Sequence, residues 1–137
     1  MIVDNSKSEF SGIVHHFTIL AKKQIGDGEK DFILKEWDGY ITTIESTDGQ
    51  LVGVDVKIAK AGSKTSGLLD GWARMFTCAL NHGADVSELC QLAMYTQFVP
   101  FGSTKNIEIP KCSSILDYAS KYISMRYCKP VVEESVA

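Results

Sequence analysis

Residues 59–67 have the composition of an anion-binding loop. Their sequence, AKAGSKTSG, combines glycines and hydroxyl side chains with two lysines. The segment joins a predicted strand to a predicted helix, where free backbone N–H groups and the helix dipole attract an anion. The order and spacing of its glycines and lysines differ from those of a Walker A loop. The candidate ligand contacts are Lys60, Gly62, Ser63, Lys64, Thr65 and Ser66.

The same residue types also suit a purely structural role. A hydroxyl group of Ser63, Thr65 or Ser66 would cap the helix, while the glycines would form the turn. The sequence leaves both interpretations open. A Lys64→Ala variant distinguishes them, because only the binding interpretation predicts a lower affinity for nucleotides.

Residues 96–106 are the second candidate, an irregular segment that mixes aromatic and polar side chains. Phe98 and Phe101 could stack on a base, and the polar side chains could bond its edges. These polar candidates are Thr104, Lys105 and Asn106. In the alternative, which we favour for Phe98, the aromatic rings only anchor the loop to the sheet. Long irregular loops are nevertheless often functional.

Metal-binding and catalytic patterns are missing from the sequence. The four cysteines (78, 90, 112 and 128) lie far apart and form no C-x-x-C pair. We therefore expect reduced thiols in the core rather than disulfides or metal ligands. His15 and His16 are adjacent, and on a strand they point to opposite faces. We expect no metal, no cofactor and no catalytic residue.

The composition is that of one ordinary globular domain. The chain has 137 residues, of which 45% are hydrophobic and 23% charged, which suffices for a core. Its net charge of −3 argues against nucleic acid as a partner, since such proteins carry a basic face. No signal peptide and no apolar stretch of the ~20 residues that a membrane span needs is visible. A cytoplasmic location is the default expectation.

Strands dominate the first half of the chain and helices the second. Strands are predicted at residues 13–20, 32–34, 40–45 and 51–58, with turns at 26–28, 38–39 and 47–50. In the last strand, Val52, Val54, Val56 and Ile58 share one face.

Helices are predicted from Ser66 to about 82, from Asp85 to about 95, and from a Ser113 or Ser114 cap onward. Trp72, Met75 and Phe76 are expected in the core. We predict the α+β class, with an antiparallel sheet of four to five strands packed on about three helices, and a flexible tail at 129–137.

Short motifs along the chain resemble, in order, the C-terminal domain of adenosylcobalamin-dependent (class II) ribonucleotide reductases. They are IVHHF (13–17), GYITT (39–43), DG (48–49), VDVKI (54–58), AKAGS (59–63), GLLD (67–70), LNHG (80–83), QFVPFGSTKNIEIP (97–110) and SILDY (114–118). Each motif alone is weak, and their order and spacing make the resemblance specific. Residues 21–37 look like an insertion relative to that family.

The resemblance implies the fold of this accessory domain without the reaction of the family. Reductase chemistry needs a barrel with a thiyl-forming cysteine, a pair of active-site cysteines and a cobalamin site, which do not fit in 137 residues. A C-terminal C-x-x-C that could recharge a reductase is also absent. We therefore expect a stand-alone, non-enzymatic domain.

Three functions from different classes remain open. In the leading hypothesis the chain binds a nucleotide or another phosphorylated small molecule, either assisting a separate ribonucleotide reductase subunit or sequestering a nucleotide signal in a phage or bacterium. In the second, it is a ligand-free structural module that forms a homo-oligomer through an exposed sheet face or edge. The third is a small nucleotide hydrolase that uses Asp55, Glu45 and Asp70, which we place near the 59–67 loop.

Overall fold

The structure, a computed structural model, describes residues 10–128. Their elements are β1 (Phe10–Gln24), β2 (Phe32–Ser46), β3 (Leu51–Ile58), α1 (Ser63–Asn81), α2 (Val86–Ala93), β4 (Gly102–Thr104), β5 (Lys111–Cys112) and α3 (Ile115–Tyr127). The predicted α+β class is confirmed. The tail predicted at 129–137 lies outside the described residues. None of the helices in this range has the length and apolar character needed to cross a membrane.

The five strands form one antiparallel sheet in the order β3-β2-β1-β4-β5. β1 and β2 make a long hairpin, paired from Phe10 opposite Ser46 to the far end of both strands. β4 pairs with β1 only at Ile19 and Leu20. Among the described residues, the side of β1 that faces away from β2 therefore has no strand partner over residues 10–17.

The turn predicted at residues 38–39 is wrong, because β2 runs through it without a break. Gly39 pairs with Phe17 on β1, and a Cβ atom on Gly39 would lie 2.3 Å from Cζ of Phe17. This glycine is needed for the close approach of the ring and not for a turn. The turns predicted at 26–28 and 47–50 are confirmed as the β1–β2 and β2–β3 connections.

The core lies between the inner face of the sheet and the helices. Fully buried side chains include Ile19, Ile41 and Val56 from the sheet and Ile115 and Tyr118 from α3. The apolar face predicted for β3 is correct for Val54, Val56 and Ile58, which are all buried. A bulge where β2 passes from Ile44 to Glu45 shifts the register, so that Leu51 is buried in place of Val52.

Helix α1 begins at Ser63, three residues before the predicted start. Phe76 is buried and Trp72 half-buried, as expected, but Met75 is exposed. The predicted caps of the other two helices are confirmed. Asp85 accepts a hydrogen bond from the backbone N of Glu88 at α2, and the cap of α3 is Ser114.

Candidate functional site

The two predicted segments lie toward opposite edges of the sheet. The 59–67 loop follows β3, at one edge, and residues 96–106 lead into β4 near the other edge. Phe101 lines an apolar cleft with Tyr95 and Lys121. Lys105 and Asn106 instead line a polar cleft beside β1. The predicted aromatic and polar contacts of the second segment therefore fall into separate clefts.

The 59–67 loop enters α1 without a side-chain cap. The N-cap residue is Gly62, no side chain bonds the first turn there, and that turn contains no acidic residue. The interpretation in which Ser63, Thr65 or Ser66 caps the helix is therefore wrong. A Cβ atom on Gly62 would meet nothing within 4 Å, so the backbone at the start of the helix is open to a ligand.

The start of the same loop is tied to β2. The backbone N of Ala59 donates a hydrogen bond of 2.8 Å to the carbonyl oxygen of Asp38. Lys60 follows at once, with a φ of 62° that places its backbone in the left-handed region. The loop with the candidate lysines thus begins beside Asp38, whose side chain lines the polar cleft.

The polar cleft has a volume of about 480 Å³ and lies between β1 and the 105–108 loop. A cleft of this size suits a small-molecule ligand. Its polar lining comes from both faces of β1, from β2, from the loop and from α3. The groups are His15, His16, Thr18, Asp38, Asn106, Glu108 and Tyr118. Lys105 stands at the rim, with Nζ 3.4 Å from a carboxylate oxygen of Glu36.

Asp38 is a fixed anion on one wall of the cleft. Its Oδ1 atom accepts hydrogen bonds from the hydroxyl of Thr18 at 2.9 Å and from Nε2 of His16 at 3.0 Å. These bonds, that from Thr18 first, lower the pKa of the Asp38 carboxyl. At neutral pH the cleft therefore contains an ionised acceptor in a set orientation.

The floor of the cleft is a hydrogen-bonded aromatic cluster. Nδ2 of Asn106 donates to the Tyr118 hydroxyl at 3.0 Å, and Nε2 of His15 lies 2.8 Å from the same oxygen. Nδ2 of Asn106 can only donate, so the Tyr118 oxygen is the acceptor in that bond, and its proton is available to Nε2 of His15 in the tautomer that is protonated at Nδ1. Burial lowers the pKa of His15, which agrees with a neutral ring. That ring stacks on Tyr122 at 4.0 Å between centroids.

Asp117 on α3 holds the second segment in place. It is buried, and its carboxylate accepts backbone N–H bonds from Tyr95 at 2.7 Å and Ser113 at 2.9 Å, and a third bond from Lys121. Burial alone would raise the pKa of Asp117, but these bonds outweigh it and lower the pKa. Residues 95–113, including Lys105 and Asn106, are thereby fixed against the helix. Within that segment the Thr104 hydroxyl bonds only its own loop.

The carboxylates considered for a hydrolase do not gather at the loop. Glu45 pairs with Leu51 at the other end of β3, roughly 23 Å along the strand from Ile58, and it contacts the Tyr127 hydroxyl. Placing Glu45 near the loop was therefore wrong. Asp55 and Asp70 both contact Lys57, at 3.8 and 2.9 Å. Over residues 10–128, no three His, Cys, Asp or Glu side chains are grouped to hold a metal ion.

The sequence analysis missed Asp38, Thr18, His15, His16 and Tyr118 as members of one cleft. Alternation along β1 places His16 and Thr18 on one face and His15 on the other. That Asp38 lies opposite Thr18, however, depends on which strand pairs with β1 and in what register. That pairing could have been found from the sequence only if residues 32–46 had been recognised as one strand. Tyr118 lies 103 positions from His15, beyond the reach of any local pattern.

Comparison with known proteins confirms the predicted resemblance. The chain is 24% identical over 96 residues to the vitamin B12-dependent ribonucleotide reductase of Rhodopirellula baltica, which covers 70% of this chain and 9% of the reductase. The corresponding enzyme of Agrobacterium fabrum is 26% identical over 89 residues, covering 64% and 7%. That of Streptantibioticus cattleyicolor is 24% identical over 90 residues, covering 66% and 15%.

This chain is thus similar to a segment of vitamin B12-dependent ribonucleotide reductases, and it spans 7 to 15% of the length of these relatives. No family model matches the chain, and no solved structure matches it.

Proposed function

We propose that this chain is a non-catalytic module that binds a nucleotide or another phosphorylated small molecule, with the phosphate at the 59–67 loop. The proposal rests on the N-terminus of α1, where Gly62 is the N-cap and no side chain hydrogen-bonds the first turn. Free N–H groups at a helix start are donors for an anion, and the helix dipole adds to the attraction. Anionic oxygens of a ligand satisfy these groups in place of a cap.

The charges around the loop favour the same ligand. Lys60 and Lys64 are exposed, and the first turn of α1 contains no carboxylate that would repel a phosphate. Ser63 and Ser66 are exposed as well, so their hydroxyl groups can bond a ligand. The loop therefore combines backbone donors, hydroxyl donors and positive charge on one short segment.

The similarity to reductase segments suggests two settings for this binding. In one, the chain assists a separate ribonucleotide reductase subunit in the cytoplasm of its cell. In the other, it sequesters a nucleotide signal of a bacterium or phage, for which affinity alone suffices.

Calorimetry tests the phosphate site directly. Inorganic tripolyphosphate and a panel of nucleoside triphosphates are titrated into the wild-type chain and into Lys60→Ala and Lys64→Ala. We expect each substitution to weaken binding about tenfold, the order of one charge-assisted contact. Lys30→Ala, an exposed lysine in the β1–β2 connection, is the matched control and should bind as wild type does. Equal affinity of all four proteins removes the loop from the site.

A ligand-free oligomerisation module is the second candidate, favoured by the open side of β1. Unpaired strand edges invite pairing with another chain, and among residues 10–128 β1 is paired on that side only at Ile19 and Leu20. Native mass spectrometry of the purified protein reports subunit number and any carried nucleotide together. A homo-oligomer that carries no nucleotide and shows no thermal shift with the triphosphate panel supports this alternative.

A further inference from the structure

The polar cleft contains a hydrogen-bond acceptor, Oδ2 of Asp38, that the described protein leaves free. Both bonds from Thr18 and His16 end on Oδ1 of Asp38, and within residues 10–128 its Oδ2 accepts none. An ionised carboxylate only accepts hydrogen bonds. The ligand group that fits against Oδ2 is therefore an O–H or N–H donor, and a phosphate is repelled from it.

The surroundings of this acceptor suit the neutral part of a nucleotide. Nε2 of His15 contacts the Tyr118 hydroxyl, which leaves Nδ1 as the other polar atom of that ring. On the outer face, the exposed ring of Tyr40 lies 5.1 Å from the ring of His16. Exposed aromatic rings of this kind stack on bases. The acceptor on Asp38 and the ring of Tyr40 are thus joined through His16, which contacts both.

The position of Asp38 connects this cleft with the phosphate loop. Its carbonyl oxygen bonds Ala59, and Lys60 is the next residue, with consecutive Cα atoms about 3.8 Å apart. A phosphorylated nucleoside has both kinds of group, a phosphate for Lys60 and hydroxyl or amino groups for Asp38.

We propose that the cleft binds the nucleoside part of the ligand, with Oδ2 of Asp38 accepting a hydrogen bond from a sugar hydroxyl or base amino group. This inference rests on the proposed function and specifies the other end of the same ligand. The 59–67 loop binds the phosphates. The cleft excludes phosphate and selects the nucleoside.

The test uses an almost isosteric substitution. In Asp38→Asn the amide oxygen keeps the bonds from Thr18 and His16, while the amide NH₂ replaces the free acceptor by a donor. Glu36→Gln is the matched control, since it removes a carboxylate from the same strand at the rim contact with Lys105. The ligands are the four common ribonucleosides, which lack phosphate, and inorganic tripolyphosphate.

The readout is NMR of the three histidine rings in the chain. We expect at least one ribonucleoside to shift the His15 and His16 signals of the wild type while those of His82, at the end of α1, stay in place. Asp38→Asn should weaken that binding about tenfold or more, as for a lost bond to a charged group, and Glu36→Gln should not. Asp38→Asn should leave tripolyphosphate affinity unchanged or raise it.

The outcomes separate the two proposals. If no ribonucleoside shifts His15 and His16, or if Asp38→Asn binds as wild type does, the nucleoside site is wrong whatever tripolyphosphate does. If nucleosides bind but tripolyphosphate does not, or Lys64→Ala leaves its affinity unchanged, the phosphate loop fails while the cleft stands.

Discussion

The ring of Phe17 on β1 packs directly against the backbone of Gly39 on β2. The two residues are paired across the strands, Phe17 is 3% exposed, and a Cβ atom at residue 39 would lie 2.3 to 2.9 Å from three ring atoms. The same ring stacks on Tyr118 at 4.5 Å. Because residue 39 has no side chain, the Phe17 ring can lie directly on the backbone of β2, and this fixes how close the Phe17–Tyr118 pair lies to the sheet.

Gly39→Ala should therefore destabilise the fold. The added methyl group overlaps a ring that has no room to move, and overpacking of this kind costs about 1–3 kcal/mol. Chemical denaturation should show the loss, and Phe17→Leu in the same chain should recover part of it. Gly12→Ala is the control, because a Cβ atom there meets its nearest neighbour only at 4.0 Å. A Gly39→Ala protein as stable as wild type would contradict the packing.

Gly39 also shows where sequence reasoning about the fold stops. The hairpin at 47–50, the class of the fold and the caps at Asp85 and Ser114 follow from local residue preferences, and the structure has them. Asp-Gly is typical of a turn, but a glycine also occurs within a strand where a neighbouring group approaches the backbone closely. Only the partner strand decides between these, and pairing is a property of the tertiary structure.

The side chain of Thr77 on α1 hydrogen-bonds the backbone of β3 on the edge that faces away from β2. Its hydroxyl accepts a bond from the backbone N of Val54 at 3.1 Å and donates to the carbonyl oxygen of the same residue at 3.3 Å. Thr77→Val keeps the shape but leaves both backbone groups unpaired, and it should cost about 1–2 kcal/mol. Hydrogen exchange at the Val54 amide should speed up accordingly. Thr77→Ser keeps the hydroxyl, and the same rapid exchange in that variant would argue against the bond.

The cysteines should differ sharply in reactivity toward a thiol reagent. Burial raises the pKa of Cys90 to about 12 and that of Cys112 to about 11, so both remain protonated at pH 8, and thiolate is the reactive form. Cys78 is exposed. Mass spectrometry after labelling should show early modification at Cys78, with Cys90 and Cys112 labelled only after unfolding. Cys78→Ser should remove that early product, and early labelling of Cys90 would contradict the buried site.

The candidate site was less predictable than the fold, for a physical reason. The lysine loop is contiguous in sequence, so its composition could be recognised from residues 59–67 alone. The cleft joins β1, β2, a loop and α3, and its members depend on register and helix docking. Lys105 and Asn106 were identified from local polarity, but nothing local indicated that Asn106 bonds Tyr118.

Asp117 should make the stability of the fold depend on pH. Its bonds to Tyr95 and Ser113 lower its pKa in the folded state, below the value of about 3.9 for an unfolded chain. A depressed pKa stabilises the fold at pH values above the unfolded pKa, and this contribution is lost as pH falls through the folded pKa. Asp117→Asn should cost about 3 kcal/mol at pH 7, because it breaks a buried charged network.

The difference between Asp117→Asn and wild type should shrink as pH falls below about 4, where the carboxyl of the unfolded wild-type chain binds a proton before that of the folded chain does. Urea denaturation at pH 7 and pH 3 measures this difference in the free energy of unfolding. Asp27→Asn, at an exposed position in the β1–β2 connection, should follow wild type at both values. If the Asp117→Asn deficit is as large at pH 3 as at pH 7, the carboxylate does not act through its charge, and packing alone accounts for its burial.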